Sequence, residues 1–159
     1  MKNVLKLSFV LGLAFLLGSC SKDGGSSITG GGSMTAKVDG SSYNASLAVQ
    51  ATITSTSPKV LSMGGTGSAG QINITIGNYT GAGTYTIGAG NPSNMASYTL
   101  TSSPFTAHTA TSVLGSGTVT VSSDAGGKVQ GTFSFSGVNN SVTPNTTKVI
   151  TDGSFNINL

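Results

Sequence analysis

Tryptophan, arginine and glutamate are missing from this chain of 159 residues, and it holds one cysteine and one histidine. Each scarcity closes a route. A single thiol, Cys20, leaves no internal disulfide even in an oxidising compartment, so packing and hydrogen bonds must hold the fold. The formal charge of +3 includes Lys2 and Lys6, and without these two, five lysines face four aspartates. No lysine cluster offers a surface that could track phosphates, which argues against nucleic acid as a partner. A zinc centre needs three or four ligands from His, Cys and carboxylates, and an acid–base pair needs two convergent carboxylates. Asp39, Asp124 and Asp152 all fall in glycine-containing segments that read as turns, where a carboxylate caps the backbone. Calcium on such turns would find only one or two carboxylates per site. His108, among Thr106, Ala107, Thr109 and Ala110, reads as a loop or strand-edge residue, charged or neutral at little cost. A serine hydrolase built on it would have no nucleophile elbow to support it. The expectation is a non-enzymatic protein without metal or cofactor.

What is present begins with an export signal. Lys2 and Lys6 precede an apolar run from Leu7 to Leu17, interrupted only by Ser8 and Gly12. The run is shorter than the roughly 20 residues a membrane span needs and has the form of a signal-peptide core. Leu17-Gly18-Ser19-Cys20 follows and resembles the lipobox of bacterial lipoproteins, in which small residues admit the backbone to a peptidase and the thiol receives diacylglycerol. The resemblance implies a signal peptide over 1–19 and a mature chain that starts at acylated, palmitate-bearing Cys20. Residues 20–33, rich in Gly and Ser, read as a flexible tether, and 34–159 as one domain. Lys22-Asp23 resembles a shortened form of the signal that sends Bacteroidota lipoproteins to the outer face of the outer membrane. The periplasmic face stays open, as does a plain solubilising role for the pair.

From Met34 onward the apolar residues recur at every second position, the period of half-buried strands. Met34, Ala36 and Val38 lead to Asp39-Gly40, a hairpin turn pair, and Tyr43, Ala45, Leu47, Val49 and Ala51 continue the alternation. Strands are expected at 59–63, 71–76, 83–87 and 96–101, while 103–113 reads as a crossover or an edge. The last third is clearest. Val119 and Val121 face one way, 123–127 is rich in turn residues, and Val129, Gly131, Phe133 and Phe135 return. A polar loop at 137–145, a short strand at 148–150, a tight turn at Asp152-Gly153 and a closing strand with Phe155, Ile157 and Leu159 complete the pattern. Thr and Ser at the outward positions suit strands with one wet face. The fold class is all-β: a single antiparallel β-sandwich or small barrel-like domain.

These segments, from Met34-Thr-Ala-Lys-Val-Asp-Gly40 through Gly117-Thr-Val-Thr-Val121 and Val129-Gln-Gly-Thr-Phe-Ser-Phe135 to Ile150-Thr-Asp-Gly-Ser-Phe155, resemble an uncharacterised β-rich lipoprotein family of Bacteroidota. The likeness covers Met34 to Leu159, with Tyr43 where a tryptophan or phenylalanine is common. It implies an envelope location and a β-rich fold, and no catalytic residues. The expected function is an interaction or structural domain displayed at the outer membrane, with the membrane and an envelope protein or glycan as partners. The alternative is a carbohydrate or small-ligand binding module. Such modules stack aromatic rings on sugars, and Tyr79, in the turn-like Asn78-Tyr79-Thr80-Gly81, is the best exposed candidate, with Tyr43 beside it. The competing reading places all four tyrosines in the core or its rim.

Overall fold

The computed structural model describes Gly31 to Leu159. The export signal, Cys20, the Lys22-Asp23 pair and the tether up to residue 30 lie outside the described residues. Eleven strands form one antiparallel sheet: β1 (Gly32–Val38), β2 (Ser41–Asn44), β3 (Leu47–Ile53), β4 (Leu61–Thr66), β5 (Gly70–Ile76), β6 (Gly83–Ile87), β7 (Asn94–Leu100), β8 (Ala107–Ala110), β9 (Ser116–Ala125), β10 (Lys128–Asn139) and β11 (Thr146–Asn158). The order is β2-β1-β11-β10-β8-β7-β5-β4-β3, with β9 and β6 branching from β10. The sheet curls into a half-barrel, in keeping with the expected all-β domain. Its inward residues, among them Met34, Ile72, Ile74, Ile76, Ile150 and Ile157, form one buried core.

The seam of the curl is a single chain crossing. Between the edge strands β2 and β3, Ala45 donates its N–H to Met34 O on β1 at 2.9 Å, and Ser46 donates to Thr66 O on β4 at 3.0 Å. Tyr43 Oη donates across the same gap to Gly65 O at 2.6 Å. Consecutive residues thus join the two ends of the sheet, β2 and β3, which also follow one another in the chain.

Turn chemistry fixes the hairpins. Asp39 (φ 49°) and Gly40 (φ 81°) form the two-residue turn between β1 and β2, and Gly126 (φ 64°) and Gly127 (φ 71°) the one between β9 and β10. Both have the paired positive φ that matches strand twist. The second is shorter than the turn expected at 123–127, because β9 runs on through Asp124 to Ala125.

Three further expectations are corrected. Leu47 does not share the inward face of Val49 and Ala51. Its side is 67% exposed, because Ala48 (φ 51°) forms a bulge where β3 shifts register against β4. Asp152-Gly153 is not a turn between two strands but a bulge inside the single strand β11, with Asp152 at φ 51° and register shifts against both β10 and β1. An extra residue reverses the alternation, which is why Ile150 and Phe155, five positions apart, both point inward. The segment 103–113 holds β8, which is neither crossover nor edge: it lies between β7 and β10.

Phenylalanine and glycine share the space of the core. Gly131 pairs with Phe155 and Gly153 with Phe133 across the β10–β11 ladder. A Cβ on Gly131 would lie 2.7 Å from Phe155 Cζ, and one on Gly153 2.6 Å from Phe133 Cδ2. Each ring occupies the volume its partner leaves empty, so the glycines in these strands are packing partners and not weaknesses.

Candidate functional site

The ionisable groups fall into two sets, one committed to architecture and one lining a cleft. Asp39 belongs to the first. Its carboxylate accepts Lys148 Nζ at 2.6 Å and the Val149 N–H at 2.9 Å, tying the β1–β2 turn to β11. The Lys148 hydrogen bond, followed by that of Val149, holds the carboxyl below its ordinary value. Asp152 pairs with Lys37 at 2.9 Å at the exposed bulge. Asp39 keeps the turn role expected of it, whereas Asp152 sits in a bulge and pairs with Lys37 in place of capping a turn.

His108 is not a loop or edge residue. It sits on the interior strand β8 at 3% exposure, and Nε2 lies 3.1 Å from Thr146 Oγ1. Nδ1 has no partner among the described residues. Burial first, and the Lys148 ammonium second, lower the imidazole from its ordinary value. The ring is therefore neutral at physiological pH, and a charge on it would not come at little cost.

Tyr79 and Tyr43 are likewise not exposed stacking platforms. Tyr43 is buried at the seam, edge-on to Tyr98 at 6.4 Å. Tyr79 is 3% exposed and packs on Tyr85 with ring centroids 5.5 Å apart. Tyr79 nonetheless reaches a cleft through its hydroxyl, which donates to Asp124 Oδ2 at 3.0 Å. Burial and then the Asp124 bond push the phenol far above its ordinary value, so the hydroxyl stays protonated and remains a donor.

Asp124 and Tyr79 stand at the back of a cleft of about 520 Å³ between the β3–β4 loop, the β5–β6 loop and the end of β9. Ser55, Lys59, Asn78 and Thr80 line it with them. It opens at the end of the curl where residue 31 enters, since Asn158 donates to Gly31 O at 2.8 Å beside the β9–β10 turn. Both loops are fixed by their own hydrogen bonds. Thr54 N–H donates to Val60 O at 3.0 Å, and Val60 N–H returns to Thr54 Oγ1 at 2.8 Å. Tyr85 Oη donates to Gly81 O at 2.6 Å and accepts the Thr80 N–H at 3.2 Å, while Tyr79 N–H donates to Lys59 O at 2.9 Å. The volume lies within the range of small-ligand sites, roughly 300–1,000 Å³. Asp124 is the one aspartate among the described residues without a lysine partner.

Sequence reasoning singled out the Asn78–Gly81 loop but missed Lys59 and misplaced Asp124 in a turn. Asp124 lies 45 residues from Tyr79, and no periodicity relates the two. A second cavity, about 350 Å³ between β6 and β7, is lined by no carboxylate, amine or imidazole. There the buried Asn94 amide is spent on Thr86 O and Gly77 N–H. Among the described residues no group of three or more His, Cys, Asp or Glu converges.

Comparison with curated proteins found no match, and neither did comparison with solved structures. The family model described as a domain of unknown function, DUF6252, matches residues 31–157. That match takes in every strand from β1 to nearly the end of β11, and the chain belongs to this family.

Proposed function

We propose that the chain is a lipid-anchored domain of the cell envelope, held at the outer membrane through acylated Cys20, that works by contact with envelope proteins or glycans and not by catalysis. The observation that carries this reading is the order of sequence features: positive start, apolar run, Leu17-Gly18-Ser19-Cys20, and a Gly/Ser-rich stretch that runs into β1 at Gly32. The disposition of the reactive groups supports the second half. His108 is buried against Thr146, and Asp39 and Asp152 hold turn and bulge. Metabolic labelling with a fatty acid tests the anchor. The wild-type chain takes up label and fractionates with the outer membrane, whereas Cys20→Ala takes up none and accumulates as a precursor; normal labelling of the variant refutes the anchor. Protease treatment of intact cells then separates surface display, which gives cleavage, from the periplasmic face, which gives protection. A second reading, a small-ligand or glycan binding module, is favoured by the cleft around Asp124.

A further inference from the structure

Resting on that second reading, we infer that the Asp124 cleft takes a neutral, hydroxyl-rich ligand the size of a mono- or disaccharide, held by hydrogen bonds from its walls with no aromatic ring stacked on it. The chemistry of the lining selects this class. Asp124 offers a carboxylate with one oxygen engaged by Tyr79, so lone pairs remain for donors from a ligand. Lys59 offers an ammonium with no ion-pair partner among the described residues. Ser55, Asn78 and Thr80 add hydroxyl and amide groups that both donate and accept. A sugar hydroxyl does the same, and so can pair with the acceptor Asp124 and the donor Lys59 at once.

Charged ligands fit less well. A phosphate would be set against Asp124 and an amine against Lys59, and the two charges together give the cleft no net sign. An amino acid could match the charged pair end to end but would leave the hydroxyls and the Asn78 amide without partners, at a cost for each group left unpaired. The tyrosine rings cannot stack on a sugar, because Tyr79 is buried beneath the cleft and Tyr85 is packed on it. The loops are instead cross-braced before any ligand arrives, which lowers the ordering cost of binding.

The test is isothermal titration calorimetry on the full chain purified in detergent. The ligands are glucose, galactose, N-acetylglucosamine, maltose and cellobiose, with glycine and inorganic phosphate as the competing classes. At least one saccharide is expected to bind with a Kd of about 1 mM or tighter. Asp124→Asn keeps an oxygen for the Tyr79 hydroxyl and should weaken that binding at least about tenfold, the usual loss for a charged hydrogen-bond partner. Lys59→Gln, on an exposed side chain, should weaken it severalfold, with melting temperature unchanged. Absence of saccharide binding, or binding that Asp124→Asn leaves intact, overturns the inference. Glycine binding that is lost in Asp124→Asn, or phosphate binding that is lost in Lys59→Gln, overturns the ligand class while keeping the cleft as a site. Labelling of Cys20 is read separately and is untouched by either result.

Discussion

Phe133 is the side chain on which the clearest energetic test rests. Its ring is 4% exposed, stacks with Phe135 at a centroid distance of 6.5 Å and meets Phe155 at 6.4 Å. It also covers the backbone of Gly153 at the β11 bulge. Replacement by alanine removes the buried ring, opens a cavity and leaves Gly153 with nothing over it. Neither glycine nor the neighbouring rings, themselves packed in strands, can collapse far into the gap. The expected loss is therefore in the upper part of the usual range, about 3–5 kcal/mol. Each lost aromatic pair adds roughly 0.5–1.5 kcal/mol beyond area alone, and this is contained in that figure.

A domain of this size should then melt roughly 10–20 °C lower. Phe133→Leu keeps much of the volume and should fall between wild type and alanine. Far-UV circular dichroism follows the melt, and urea titration gives the free energy with its slope as a check on two-state behaviour. An unchanged melting temperature for Phe133→Ala, or an alanine variant no worse than leucine, would show that the ring does not fill the core as described.

Three further outcomes are expected. Gly131→Ala places a methyl against Thr120 O and the Phe155 ring and should destabilise by about 1–3 kcal/mol through overpacking; a neutral or stabilising result in urea titration would contradict the packing. His108 is held below the ordinary imidazole value of 6.5, so the unfolded chain binds the proton first. Stability is full above that pH, is lost as pH falls through the folded value, and the slope should vanish in His108→Gln; urea titrations between neutral pH and pH 5 that show the same slope in both chains would contradict it. Asp39, held below its ordinary 3.8 by Lys148 and Val149, adds a separate loss only in stronger acid, which Asp39→Asn should remove from an acid-unfolding curve.

Period-two alternation carried a large part of the fold in readable form. Ile72, Ile74 and Ile76 lie on one inward face, and so do Val129, Phe133 and Phe135, while Asp39-Gly40 forms the turn its composition demands. What the alternation hides is any place where an extra residue resets it. At Ala48 and at Asp152 a bulge reverses the parity, so Leu47 reads as core and β11 reads as two strands with a turn between. Neither residue announces a bulge: alanine reaches positive φ only because the neighbouring pairings hold it, and Asp152-Gly153 reads equally well as a turn. Pairings made across long stretches of sequence are hidden for the same reason. The position of β8 between β7 and β10, the burial of His108 and the bond from Tyr79 to Asp124 all depend on which strands meet, and composition does not specify that.

The glycine–phenylalanine segments of β10 and β11 lie within the family match and solve the packing problem of this core. Gly-Thr-Phe-Ser-Phe of β10 and Asp-Gly-Ser-Phe of β11 interlock, with the phenylalanine of each strand laid over the glycine of the other. In a chain without tryptophan and with 24 glycines, this cross-strand filling lets two long strands carry a tight core. The glycines and phenylalanines of these segments are occupied by packing, and their Thr132, Ser134 and Ser154 face outward. The groups that line the Asp124 cleft stand elsewhere, on the loops at 55–59 and 78–81 and at Asp124 near the end of β9. Loops held on a rigid scaffold are where binding specificity can vary without cost to the fold. The cleft and the glycine–phenylalanine pairs therefore use separate residues, so Lys59→Gln or Asp124→Asn should leave the packing of β10 against β11 intact.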